Sequence, residues 1–91
     1  MKNFNKVTNV DLNDGEWDIK TRTVAINTET VAYIEPRVIR ERTRAGRVVE
    51  CKFTRIVFIS GSDFEVAESP HDVWNKIMNS IVSDSNPFPE E

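Results

Sequence analysis

The sequence contains one cysteine, one histidine, three glycines and no long hydrophobic run. A single cysteine excludes an intrachain disulfide and a multi-cysteine zinc site, and it is typical of a protein in a reducing compartment. No apolar stretch approaches the roughly 20 residues of a membrane span. The first nine residues also lack the apolar centre of a signal peptide. We therefore expect a cytoplasmic protein that is not inserted in a membrane.

The chain has 91 residues, of which 38% are hydrophobic, including five Phe, two Trp and one Tyr. This length suits a single domain, because two halves would each be too small to bury a core. The apolar content is sufficient for a folded protein. We expect one α+β domain over residues 1–83 and a flexible tail over residues 84–91, which contain two prolines and no periodicity.

Alternating and β-branched residues predict strands over most of the chain. Asn13-Asp14-Gly15 predicts the turn of a first hairpin, because glycine tolerates a positive φ. A strand is predicted over Val31–Glu35, and we expect it to stop at Pro36, which cannot donate a ladder hydrogen bond. A second, longer hairpin is predicted around Ala45-Gly46. Its arms are residues 37–43 and 48–59.

Charge pairing guides the predicted register of the second hairpin. A two-residue loop would place Glu41 opposite Glu50, and like charges oppose strand pairing. A register shifted by one residue, with a three-residue loop, places Arg42 opposite Glu50, and this is the register that we predict. Further along, Ile56–Ile59 is apolar on both faces, which predicts a strand in the middle of the sheet.

A helix is predicted near the end of the chain. Ser69 as N-cap, Pro70 at the first position and Asp72 in the first turn are typical of a helix start. The apolar residues that follow at helical spacing are Val73, Trp74, Ile77, Met78, Ile81 and Val82. We expect this face, with Trp74 in it, to cover the sheet. The predicted fold is α+β, a strongly bent antiparallel sheet of five or six strands with one C-terminal helix.

The net charge of −3 conceals a separation of charge along the chain. Residues 37–55 hold seven cations and two carboxylates, so this hairpin carries +5 and the rest of the chain −8. Clustered guanidinium groups bind phosphate and carboxylate oxygens, which favours an anionic partner. Alternatively, the arginines only keep an exposed strand edge from aggregating. The candidate partner-binding residues are Arg40, Arg42, Arg44, Arg47, Lys52 and Trp17.

Trp17 is included because it lies beside the first turn between Glu16 and Asp18, where a large aromatic residue can mark a binding patch. Burial in the core is the equally weighted alternative. His71 is expected to lie in solvent over the first helical turn, and Cys51 is expected to be a buried strand residue. The sequence has no phosphate-binding glycine loop or calcium-loop pattern. We therefore expect no catalytic residue, no metal and no cofactor, and we do not expect an enzyme.

Residues 26–36 and 53–81 resemble the small flagellar FlbD-like (swarming motility) proteins. The resemblance lies in Ile26-Asn27, the strand Val31–Glu35, a strand-Gly-strand hairpin, Val66-Ala67-Glu68-Ser69 and the closing helix. It implies the fold and a non-catalytic motility protein. Relative to that family, the arginine-rich segment between Pro36 and Phe53 is inserted. Less closely, the same strand and the later hairpin resemble the LytTR DNA-binding domain.

Two functional hypotheses follow from the sequence. The first is a small regulatory or adaptor protein that binds another protein, with a homo-oligomer as one form of that binding. The alternative is a nucleic-acid-binding protein that uses the arginine-rich β-hairpin 37–55, since a β-ribbon can enter a major groove. The acidic balance of the whole chain, with a pI of about 5.2, favours the first hypothesis.

Overall fold

The computed structural model of the protein describes the backbone of residues 1–85 and the side chains of residues 1–79. The elements are β1 (Lys2–Asn13), β2 (Glu16–Ile26), a short 3₁₀ turn (Thr28–Thr30), β3 (Val31–Arg42), β4 (Val48–Phe58), β5 (Asp63–Val66) and α1 (Pro70–Ser85). All paired strands are antiparallel, and they form one open sheet in the order β2-β1-β5-β4-β3. The predicted antiparallel sheet of five or six strands with one C-terminal helix is therefore confirmed, and it has five strands.

The helix continues through residues 84 and 85, which were predicted to belong to the tail. The rest of that predicted tail, residues 86–91, lies outside the described residues. The helix of the described region is not long and apolar enough to cross a membrane.

The turn of the first hairpin, β1–β2, is the one predicted. Asn13 pairs with Glu16, which leaves a two-residue loop. Asp14 has a φ of 51° and Gly15 a φ of 80°. Two consecutive residues with positive φ are typical of the type I′ turn, whose twist matches that of the two strands.

The register of the second hairpin, β3–β4, differs from the prediction. Arg40, and not Arg42, lies opposite Glu50. Arg42 lies opposite Val48 instead. The structure thus keeps an Arg–Glu cross-strand pair, but it selects the arginine two positions earlier, and the predicted pairing of Arg42 with Glu50 is wrong.

The glycine in the loop explains this register. The loop has three residues, Arg44–Gly46, closed by a hydrogen bond from the Thr43 amide to the Arg47 carbonyl at 2.8 Å. The Gly46 amide donates to the Thr43 carbonyl at 2.9 Å, and Gly46 has a φ of 83°. A three-residue loop of this kind needs a left-handed residue at its last position. The position of the glycine therefore sets the pairing.

The predicted end of β3 at Pro36 is also wrong. The strand continues to Arg42, and Pro36 pairs with Thr54 on β4. β3 lies at the edge of the sheet and has one neighbour. Proline is tolerated on an edge strand where its nitrogen faces away from the neighbouring strand.

The main core lies between the helix and one face of the sheet. Its buried members are Phe4, Ile26, Ile56, Val66, Val73 and Ile77. The helix begins as predicted, with the Asp72 amide donating to Ser69 Oγ at 3.2 Å. On β4, Ile56 and Val57 are both buried, so this part of the strand is covered on both faces as predicted. The prediction is wrong at Ile59, which follows the end of β4 and is 72% exposed. The middle strand of the sheet, however, is the four-residue β5 and not β4.

Trp74 does not cover the sheet. Its side chain is 54% exposed, whereas Val73 is fully buried and Ile77 is 6% exposed. Val73 and Ile77 lie four residues apart and face the sheet, and each following position is turned by about 100° around the helix axis. Trp74 and Met78 therefore lie on the side of the apolar stripe that faces solvent, and the prediction of a buried Trp74 is wrong.

Glu68, which follows β5, joins three parts of the fold. Its carboxylate accepts hydrogen bonds from the Asn5 amide at 3.1 and 3.0 Å and from Lys76 Nζ at 3.2 Å. Its carbonyl accepts a hydrogen bond from Thr54 Oγ1 at 2.8 Å. Lys76 Nζ also donates to the Asn3 carbonyl at 2.7 Å. One mostly buried residue thus connects β1, β4 and the helix.

We expect Ile77→Ala to lower the free energy of unfolding by about 2 to 5 kcal/mol, because it empties a buried site. Trp74→Ala removes a side chain that is more than half exposed, and we expect it to cost less than about 1 kcal/mol. Urea unfolding followed by far-UV circular dichroism measures both variants. Equal losses for the two variants would contradict the orientation of the helix described above.

We expect Glu68→Ala to lower the free energy of unfolding by about 2 to 3 kcal/mol, because it removes charge-assisted hydrogen bonds from a mostly buried position. The matched control is Glu65→Ala, which removes a more exposed ion pair with Arg37 at 3.4 Å and should cost less than about 1 kcal/mol. Chemical denaturation compares them. A loss for Glu68→Ala no larger than that for Glu65→Ala would show that the junction does not depend on this carboxylate.

Candidate functional site

The turns of the two hairpins meet. A methyl group built on Gly15 would lie 3.6 Å from Thr43 Cγ2 and 3.9 Å from Arg47 Nη2. In a flat sheet these turns would lie at opposite ends. The reason is that β1 and β4 run in the same direction on either side of β5. β1 ends at the turn of the first hairpin, whereas β4 begins at the turn of the second hairpin. The contact between the turns therefore shows that the sheet is strongly bent, as predicted.

β1 also contains a β-bulge, which is one source of bending in a sheet. The register shifts between Val7 and Asn9, directly after Lys6, which pairs with β5. A bulge bends the strand that carries it and increases its twist. β4 has a second face that points away from the helix, opposite to the face that carries Ile56. Cys51 and Phe53 lie on that face and are 5% and 2% exposed, so they form a second buried region.

An open cleft of about 720 Å³ lies between the two turns. Its charged lining consists of Arg42, Arg44, Arg47 and Asp14. The other residues that line it are Leu12, Asn13, Gly15, Thr43 and Ala45. We call it the tip cleft. Arg42 Nη1 donates a hydrogen bond to the Gly46 carbonyl at 3.2 Å, which holds this guanidinium against the turn.

The fold neutralises three of the seven cations between residues 37 and 55. The ion pairs join Arg37 to Glu65, Arg40 to Glu50, and Arg55 to both Glu35 and Asp63. The other four cations have no carboxylate within 4 Å among the side chains that the structure describes. They are Arg42, Arg44, Arg47 and Lys52. We call this group the basic end, because its three arginines lie at the turn of the second hairpin, whereas Lys52 lies farther from the turn, opposite Val38.

Two exposed valines accompany the basic end. Val38 pairs with Lys52, and Val48 pairs with Arg42, so each valine lies beside a cation. These residues share the face of the hairpin that carries Ile56 nearer the helix, and we call it the outer face. The exposed fractions of the two valines are 43% and 51%. The outer face thus combines positive charge with accessible apolar surface, a combination that the sequence analysis did not identify.

The ion pairs nearer the middle of the hairpin keep their groups charged. The hydrogen bond from Arg40, together with its positive charge, lowers the pKa of Glu50. Hydrogen bonds to Glu35 and Asp63 raise the pKa of Arg55. These arginines therefore already form ion pairs with carboxylates of the same chain. Of the predicted site residues, Arg40 is the one whose charge is already compensated.

The other side chains considered in the sequence differ in burial. Trp17 is half-buried, and its indole nitrogen is buried without a hydrogen-bond partner. Cys51 is buried, and burial raises the pKa of its thiol, which disfavours the reactive thiolate. His71 is exposed, and one of its ring nitrogens lies 3.1 Å from Asn75 Nδ2. Within the described region, His, Cys, Asp and Glu side chains form no group of three that could hold a metal ion.

Comparisons of the chain with protein-family models, with curated proteins and with solved structures found no match. The resemblance to FlbD-like proteins therefore stays a prediction. Some of the residues that carry it have structural roles here. Val66 is a core residue, Glu68 joins the hairpins and Ser69 caps the helix.

We expect Arg40→Gln to raise the pKa of Glu50 towards its ordinary value of 4.5, because the substitution removes the positive charge that stabilises the carboxylate. Since the folded pKa is the lower one, the contribution of this pair to folding is present above the ordinary pKa and is lost as the pH falls through the folded value. Carboxyl NMR titration measures the shift. Arg37→Gln is the control and should leave Glu50 unchanged. A similar pKa in wild type and Arg40→Gln would contradict the pairing.

Proposed function

We propose that the protein is a small, non-catalytic regulatory or adaptor protein whose second hairpin binds an acidic surface of a protein partner. One observation carries the proposal: the four cations of the basic end are unpaired among the described side chains and lie next to two exposed valines. Arginine beside accessible apolar surface is typical of protein interfaces, where apolar contacts supply affinity and charges supply orientation.

The distribution of charge supports a protein partner. The rest of the chain carries −8, so an extended polyanion would be attracted by one end of the molecule and repelled by the remainder. A folded partner with a local acidic patch meets only the basic end. The exposed Val38 and Val48 also match a partner that presents apolar atoms beside its carboxylates.

A second copy of the chain is one partner of this kind. β2 and β3 are edge strands of 11 and 12 residues, and edge strands present unpaired backbone groups. On the first hairpin Asp11 lies directly opposite Asp18, and Glu16 follows the turn. Like charges across a strand pair are unfavourable, and cations from a neighbouring molecule would relieve this repulsion.

Nucleic acid is the second candidate partner. A two-stranded ribbon fits a major groove, and the turn of the second hairpin exposes cations that no described carboxylate neutralises. The experiment below separates this alternative from the proposed protein partner.

The test compares Arg42→Ser/Arg44→Ser/Arg47→Ser with Lys2→Ser/Lys20→Ser/Arg22→Ser, which removes the same number of charges from the other hairpin. We expect the first variant to lose a stoichiometric protein complex or self-association. The control variant should keep it, and both should unfold like the wild type. Size-exclusion chromatography with light scattering measures self-association, and affinity capture from the native host measures a complex with another protein.

Duplex DNA and RNA provide the opposing arm of this experiment. A protein-binding role predicts weak retention of either duplex that disappears near 150 mM salt, where charges are screened within about 8 Å. Submicromolar binding to a defined nucleic acid at that salt concentration would overturn the proposal and favour the alternative. Equal behaviour of the two triple variants with every protein partner would also overturn it.

A further inference from the structure

We infer that the tip cleft binds a compact dianion of the phosphate monoester class. The inference deepens the proposed function and rests on it for the source of that group, a phosphorylated side chain of the protein partner. It is carried by the meeting of the two turns, which places three arginines and a single carboxylate around one concave space.

The size and shape of the cleft fit such a group. Its volume of about 720 Å³ exceeds that of a phosphate group and falls in the range of ligand pockets, about 300 to 1,000 Å³. The cleft is open to solvent, so a phosphate carried on a peptide could enter while the peptide itself remained outside. An enclosed cavity would admit free ions only.

The charge of the cleft also fits a dianion. Arg42, Arg44 and Arg47 contribute three positive charges and Asp14 one negative charge, which leaves +2 without a partner. A phosphate monoester carries about −1.5 to −2 at pH 7, whereas a carboxylate or a phosphate diester carries −1. One phosphate monoester would therefore neutralise the cleft.

The geometry of the donors favours oxyanion recognition. The planar guanidinium group presents several N–H donors that match the spacing of phosphate oxygens. Arg42 is held by the Gly46 carbonyl at 3.2 Å, and the Arg47 guanidinium lies close to Gly15 of the opposite turn. Arg42 is thus positioned by the backbone of its own turn, which reduces the loss of side-chain freedom on binding.

Two single substitutions with opposite expected effects test the inference. Arg44→Gln removes a cation from an exposed loop residue, and we expect it to weaken phosphopeptide binding about tenfold, the effect of losing one charge-assisted hydrogen bond. Among the described residues that line the cleft, Asp14 carries the only carboxylate. Asp14→Asn removes it, and we expect this substitution to tighten binding about threefold at low salt. Asparagine suits the left-handed conformation of this turn, so the fold is preserved. Arg22→Gln on β2 is the control and should change nothing.

The probes are inorganic phosphate, a phosphoserine peptide with uncharged flanking residues and the same peptide without phosphate. Binding is followed by amide chemical shifts of Gly15, Thr43 and Arg47 in NMR titrations. The inference predicts saturable shifts with phosphate and with the phosphopeptide, and none with the unmodified peptide. Tighter binding of the phosphopeptide than of inorganic phosphate identifies a phosphorylated side chain of the protein partner as the source of the phosphate group. Equal affinity for the two overturns that assignment and leaves the free ion as the ligand.

The inference and the proposed function fail in different ways. Absence of any phosphate-dependent shift, or weaker binding by Asp14→Asn, would overturn the inference, even if the triple arginine variant still lost its protein partner. The opposite result is also possible to observe. The phosphopeptide binds with the expected opposite effects of the two substitutions, but no protein complex is sensitive to the triple variant. That result would support phosphate binding in the tip cleft and overturn the proposed protein-binding role.

Discussion

The structure depends on one short junction between two long hairpins. β5 has four residues, and it alone connects β1 to β4 within the sheet. Glu68 extends this connection beyond the strand, because its carboxylate binds the Asn5 amide and Lys76 while its carbonyl binds Thr54. The direction of each hairpin, the position of the helix and the meeting of the two turns all follow from how this junction is held.

The sequence predicted the features that depend only on residues close to each other in the chain. Asp14-Gly15 specified its turn and Ser69 the helix start, and alternating apolar residues indicated the sheet. The wrong predictions concern features that depend on how distant parts of the chain pack against each other. Helical spacing did not reveal which side of the apolar stripe would face the sheet, so Trp74 was misplaced. Pro36 appeared to end a strand because the sequence does not state that β3 lies at an edge.

The candidate site was predicted in part. The sequence showed seven cations in one hairpin, but it could not show that Arg37, Arg40 and Arg55 find carboxylates within the fold. Residue Asp14, from the other hairpin, was not associated with the arginines at all. That association requires the bend of the sheet that brings the two turns together, and no glycine or proline within β1 indicates such a bend.

The pairing of β1 with β5 also has a consequence for how the chain folds. Asn5 and Glu68 are 63 positions apart. Closing this long loop costs conformational entropy before the hydrogen bonds between β1 and β5 can form. Each hairpin can form early from neighbouring residues, and β5 can pair with β4 through the short turn between them, whereas the pairing of β1 with β5 forms late, once residues 63–68 have been synthesised. Until then the inner edge of β1 lacks a neighbour, and such an edge favours association between nascent chains.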